Sequence, residues 1–457
     1  MTAQVWVTSE LRKEDCTRSG ANATSRRCCS LARSCWPRGS ISDQEVSSKP
    51  SRAEFCAQVK NNLATSNAPA RLAPDSAIPK MEAPGPLYAA HTPNFPRLLR
   101  QLSASLLVTT YQAGKLVMVR DEGDHLNTHY RSFQSPMGLA LAEGGARLAI
   151  GTTLQVWEFR DVPNVARRLD PAAKHDACYL PRSSHVTGNI LIHEMAWAGG
   201  SSQGSEGGSK GAASSLTPDA CPLTPELWLV NTRFSCLATL DPESSFVPRW
   251  RPPFVTELEP SDRCHLNGLG MVDGKPKYVT ALGETNENAG WRPNKAKGGI
   301  LMDVDTGAIV CRGLSMPHSP RWYGGRLWVC ESGSGTLGYV ELNTGRYEAV
   351  AAVPGFTRGL DIAGDLAFVG LSQVRESAVF SGIQITERLA PEERTCGVCV
   401  VDLRLTSGVQ EVFAVALLPR RFPDLINDDD KLLESSFVVP TECLGEVAAT
   451  VRASGPA

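Results

Sequence analysis

Between Leu106 and about Pro419 the apolar and polar positions of this 457-residue chain fall into one recurring two-part phrase. The second part reads "ARLAIGTTLQVWEF", "ELWLVNTRFSCLATLD", "PKYVTALGETN", "GRLWVCESGSGTLGYVE" and "DLAFVGLSQ". Each copy has a short apolar strand, a turn of small or polar residues, and usually a second strand closing near Asp or Glu. A shorter leader precedes each one: "PMGLAL", "IHEMAW", "LNGLGM", "PHSPRW" and "TRGLDI". Apolar runs of about four to six residues punctuated by Gly, Pro and Asn are strands of tight antiparallel meanders. Their return about every 40 to 70 residues, without helical periodicity between, predicts an all-β propeller of about four strands per blade.

Five copies are complete, and a sixth is split between the two ends of the repeat region. "SLLVTTYQAGKLVMVRD" is a second part without a leader, and "VQEVFAVALLP" is a leader without a second part. Joined, they make a sixth blade that closes the ring and removes exposed sheet edges. The leader is then the innermost strand, lining the central channel. Aligned leaders place Met137, His193, Asn267, His318, Arg358 and Glu411 in one column, with Glu194, His265 and Ser319 beside it and His185 at the end of a preceding loop. Ionisable and amide groups crowded into a channel are costly unless they satisfy one another, a metal or a ligand.

Composition narrows the partners. Forty-six Lys and Arg against 48 Asp and Glu give a formal charge of −2, without the basic excess of a nucleic-acid or polybasic membrane binder. No apolar run reaches the roughly 18 residues of a spanning helix. The start, "MTAQVWVTSELRKEDC", lacks an apolar signal core, so the 14 cysteines are expected to be reduced thiols of a cytoplasmic protein. Residues 1–85 are Ser-, Arg- and Cys-rich without periodicity and are expected to be a disordered extension. An organelle-targeting role is the other reading of that extension, against which stand Glu10, Glu14 and Asp15. The propeller is expected over 86–440, with a flexible Gly/Ser-rich insertion at 199–224 and a tail at 441–457. "CGVC" at 396–399 has redox spacing but enters an outer strand, and "GSGTLG" precedes a strand rather than a helix, so neither predicts redox or phosphate chemistry.

The motifs "HTPNFPRLL", "LLVTTYQAGKL", "FVPRWRPPF", "RCHLNGL", "ALGETN", "GLSMPHSPRW" and "GFTRGLDI" resemble an uncharacterised family of TIGR03032 or DUF4915 type over about residues 88 to 440. The resemblance implies a propeller-like domain and brings no reaction with it. A weaker likeness links the channel column to lactonase-type six-bladed propellers, which hold calcium through Glu, Asn and Asp. His in place of carboxylate speaks against calcium here.

The candidate roles divide accordingly. His193 and His318 either ligate one divalent transition metal, which imidazole suits, or are hydrogen-bonded channel liners around ordered water. Arg358 either clamps a substrate carboxylate or phosphate, or pairs with Glu411 or Glu194. Asn267, Ser319 and His185 are candidate ligand contacts, as are Arg233 and Glu284 at strand ends near a channel mouth. Glu194, Glu411 and His265 are the candidate acids and bases. No nucleophile elbow or Ser–His–Asp order stands in the chain. Two functional readings follow. One is a small-molecule site in the channel, for a small anion and with metal-dependent hydrolysis, isomerisation or oxidation as its chemistry. The other is a non-catalytic ligand-binding propeller, or a scaffold that binds protein through its rim loops.

Overall fold

The computed structural model describes residues 89–199, 226–374, 381–399, 403–405, 411–436 and 438. The expectations for residues 1–85 and 441–457, and for all but the first residue of the 199–224 insertion, lie outside the described residues.

Six small sheets form a six-bladed propeller. Five of them begin at the channel with the leader strands Leu139–Ala142, Ile192–Trp197, Leu266–Val272, Pro317–Tyr323 and Phe356–Ala363. The next strand outward in each is Arg147–Gly151, Leu227–Asn231, Lys275–Ala281, Arg326–Glu331 and Leu366–Ser372. In the remaining blade Ala414–Leu418 is innermost, followed by Ser105–Thr110, Lys115–Glu122 and His125–Ser132. Leu106 pairs with Leu417 and Val108 with Val415, so the two ends of the repeat region share a blade as the split copy predicts.

Position in the blade explains the pattern of polarity. Second strands are covered by neighbouring blades on both faces, and Ser105–Thr110 and Arg147–Gly151 are buried at every residue. They therefore read as continuous apolar runs with small hydroxyl residues rather than as alternating strands. Outer strands such as Arg346–Ala352 are only intermittently covered and carry the charge. The cores lie between blades: Leu107, Met118, Leu148, Ile150, Phe159 and Tyr179 fill one seam, and Leu237, Leu266, Val279 and Met302 another.

Two further seams were not visible as repeats. Ala89–His91 adds a fifth strand to one blade through Leu403–Leu405. Pro423–Leu425 runs parallel to Ala177–Tyr179 as the fifth strand of another. Three residues are too short to show periodicity. The second of these is tied to the split blade as well: Arg120 donates to Pro423 O at 2.7 Å and Arg131 to Asp424 at 2.8 Å. Asp424 is held far below the usual carboxylate range because hydrogen bonds and charges from His129 and Arg131 outweigh its burial.

Candidate functional site

The leader column is built by a repeated backbone device. Ser135, Leu191, His265 and Met316 all have positive φ, from 46 to 56°, and each stands two residues before a column member: Met137, His193, Asn267 and His318. In four blades the inner strand then carries one extra residue against its neighbour. This occurs opposite Leu229–Asn231, between Leu266 and Gly268, between His318 and Arg321, and between Thr357 and Leu360. Such bulges re-aim side chains. Here they sit at His193, Asn267, His318 and Arg358. After Met137, Asn267, His318 and Arg358 the next residue is small, Gly138, Gly268, Ser319 and Gly359, whereas His193 is followed by Glu194. Gly359 (φ 80°) would place a Cβ 2.8 Å from Val415 N, which explains the "GL" of its leader.

A cavity of about 20 Å³ is lined by His193, Asn267, His318, Ser319, Arg358 and Phe413. That is room for about one water. His318 Nδ1 lies 2.9 Å from Met316 O and 2.8 Å from Ser332 Oγ. The Ser332 hydroxyl donates to Thr357 O, so its lone pairs are left for His318 Nδ1–H, and Arg358 donates to His318 Nε2 at 3.2 Å. His193 repeats the arrangement: Nδ1 is 2.8 Å from Thr232 Oγ1, whose hydroxyl donates to Leu266 O at 2.6 Å. Both rings are therefore neutral Nδ1–H tautomers. Burial, with the Arg358 charge adding to it, pushes both well below the ordinary histidine value.

Arg358 is drawn down to about 10 by burial, with Glu411 and Tyr111 acting in the opposite sense, so it stays charged at neutral pH. Its guanidinium lies 4.1 Å over the Phe413 ring. Two buried donors that line the cavity, Asn267 Nδ2 and Arg358 Nε, have no hydrogen-bond partner among the described residues, while Asn267 Oδ1 accepts from Thr280 at 2.7 Å. His265 packs edge-on to His193 at 4.9 Å between ring centres. Its Nδ1 is 2.9 Å from Asp262, whose carboxylate also accepts from Trp291 Nε1 at 3.1 Å. This is a His–Asp pair in which Asp262 holds the Nδ1 side of the ring.

Several expectations change. In the split blade the lining residue is Phe413, not Glu411. Phe413 N–H bonds Thr109 O as Met137 N–H bonds Gly151 O, which sets the register two residues further on. Glu411 is half-buried and acts on Arg358 through its charge. Glu194 is not a free base: it forms an ion pair with Arg321 and accepts from Leu269 N–H at 2.8 Å. His185 lies on the outer strand Ala177–Val186 and reaches Ser245 O at 3.0 Å, far from any channel entrance. Glu284 is an exposed partner of Arg312 at 3.1 Å. Arg233 contributes through its backbone, whose carbonyl accepts from Asp262 N–H at 2.9 Å and so steadies the partner of His265. Ser319 Oγ accepts from Gly359 N–H at 3.1 Å. The donor set does not fit the metal expectation for His193 and His318. Both Nδ1 atoms are engaged, a guanidinium faces His318 Nε2, and no group of three or more His, Cys, Asp or Glu among the described residues could hold an ion. Burial pushes the Cys396 thiol of "CGVC" up to about 12, which leaves it inert.

Sequence reasoning missed Asp262, Ser332 and Arg321, and took Thr232, at a strand end near a channel mouth, for a turn former. The signal for two of them was present: Thr232 in "LVNTRF" and Ser332 in "VCESGS" stand just past the ends of equivalent second strands, where Thr109 and Ser372 stand at the ends of theirs. All four hydroxyls donate to a carbonyl at or near the start of the next inner strand.

A six-bladed propeller with a buried histidine–arginine–amide channel is thus the class that the fold and site define. The chain belongs to the family described as Domain of unknown function (DUF4915), which it matches over residues 93–426. No curated protein matches. Among solved structures it is similar to the virginiamycin B lyase of Staphylococcus aureus, at 10% identity, 58% of this chain, 76% of that one and a TM-score of 0.33. It is similar also to a chain of a nidogen/laminin complex (8%, 69% and 98%, 0.40) and to a protein of unknown function from Bacteroides caccae (8%, 69% and 98%, 0.37). At these values the likeness bears on neither substrate nor mechanism.

Proposed function

We propose that the channel site binds the oxygen of a small carboxylate- or carbonyl-bearing molecule, and that His265 moves a proton on that ligand. The observation that carries the reading is the pair of unpartnered buried donors, Asn267 Nδ2 and Arg358 Nε, lining one cavity. A buried donor left without a partner costs about 1–3 kcal/mol, which an incoming acceptor oxygen recovers. The charge of Arg358 selects an anion, and the neutral His193 and His318 add no opposing negative charge. The cavity admits one oxygen, and in this reading the rest of the ligand extends past His193 to His265, whose ring packs against that of His193. Asp262 orients that ring and stabilises the imidazolium formed when Nε2 takes a proton. The small volume also favours a second reading, a polar plug holding one water in a propeller that binds protein through its rim.

Titrating formate, acetate, pyruvate and phosphate against thermal unfolding separates the two. The expected result is a concentration-dependent rise in the wild-type midpoint with a carboxylate, weakened about tenfold or more in Arg358→Met and in Asn267→Ala. His265→Asn should leave this binding in place. If no anion moves the wild-type midpoint, the plug is the correct reading.

A further inference from the structure

The channel holds a second chamber that the histidine site does not use. Toward the far ends of the inner strands it widens into a cavity of about 220 Å³, walled by Met195, Trp197, Met271 and Trp322, with Arg321 and Asp361 among its lining groups. Arg321 lines both cavities, and with Glu194 it forms a polar layer between them.

The charges of this layer do not balance. Arg321 is spent on Glu194 and on three carbonyls, Leu360 O at 3.0 Å, Pro320 O at 2.9 Å and Leu269 O at 3.2 Å. Among the described residues Asp361 accepts from backbone N–H groups, Leu417 at 2.7 Å and Ile362 at 2.8 Å, and feels the Arg321 charge at longer range. Two carboxylates therefore share one guanidinium, and the excess negative charge falls on Asp361. A half-buried carboxylate without a cation of its own gains from one that reaches it. The walls suit the same ligand: thioethers adapt to irregular apolar shapes and indole faces attract cations, although Trp197 already carries the Arg147 guanidinium 3.9 Å over one face and offers a ligand only the other.

We propose that this chamber is a second ligand site, for a small apolar amine, with its ammonium on Asp361 and its hydrocarbon body between Trp197 and Trp322. The volume suits one aromatic ring with a short alkyl chain. The proposal is independent of the carboxylate site, which shares none of these contacts except Arg321.

The test is isothermal titration of the full chain with phenethylamine, using phenylacetate and phenylethanol as anionic and neutral isosteres. Phenethylamine should bind the wild type with one site per chain and at least about tenfold more tightly than either isostere. Asp361→Asn, which keeps the shape and an oxygen for the Leu417 N–H, should lose about ten- to a hundredfold in affinity for the amine alone. Should Asp361→Asn fold poorly, Met271→Trp, which fills the chamber and leaves the carboxylate in place, should abolish binding instead. Equal binding of all three probes, tighter binding of phenylacetate, or no binding of phenethylamine to the wild type would each overturn the assignment.

Discussion

Between pH 7.5 and pH 5 the protein is expected to lose up to about 4 kcal/mol of unfolding free energy to His193 and His318 alone. Both rings are neutral in the fold, with pKa values pushed well below the ordinary value by burial and by neighbouring cations. Their stabilising contribution is complete above the unfolded value of about 6.5. It is lost as pH falls toward the folded value, because the unfolded chain binds protons that the fold refuses. At pH 5 each ring costs at most about 2 kcal/mol, the limit reached when the fold takes up no proton there. His175, also lowered by burial, adds in the same direction. Glu194 and Asp361, raised by burial, oppose the trend where they take up protons in the fold. Denaturant unfolding at several pH values reads the slope, and His318→Asn isolates one ring. The variant should shed about one proton's worth of dependence, about 1.4 kcal/mol per pH unit below pH 6. A variant slope identical to wild type would mean that His318 is charged in the fold.

Arg321→Met should be the more damaging of the single channel substitutions, costing about 3 kcal/mol. Glu194 is 9% exposed in its side chain, and the substitution leaves its charge buried with only the Leu269 N–H. Arg321 itself is 32% exposed toward the wide chamber, which places the cost at the lower end of the range for buried pairs. The double variant Glu194→Leu/Arg321→Met should recover most of the loss, since an apolar pair of similar volume replaces a pair whose desolvation nearly cancels its attraction. Chemical denaturation of the wild type, both single variants and the double variant closes the cycle. If the double variant is as unstable as Arg321→Met, the carbonyl contacts of Arg321 rather than its charge hold the inner strands.

The blade architecture was legible because second strands covered on both faces keep the same apolar run and turn, however their sequences drift. The channel column was legible for His193, Asn267, His318 and Arg358, because each stands at the same place in a leader flanked by Gly, Pro or Ser. It failed at Glu411 because "VQEVFAVALLP" offers two polar-to-apolar registers, and only the Phe413 N–H to Thr109 O bond decides between them. His185 and Glu284 were read by proximity in sequence to a channel strand. A strand end points to either mouth of the channel or to the rim, and sequence spacing does not tell these apart. The pairing of Glu194 with Arg321 crosses between blades, and no local pattern announces a partner 127 positions away.

The most direct test is a crystal structure of the protein soaked in formate near pH 7. A carboxylate oxygen should lie within about 2.7–3.2 Å of both Asn267 Nδ2 and the Arg358 guanidinium, with the His318 ring still between Ser332 and Arg358. Formate elsewhere and Asn267 Nδ2 donating to a protein oxygen, or a metal ion coordinated by His193 and His318, would contradict it.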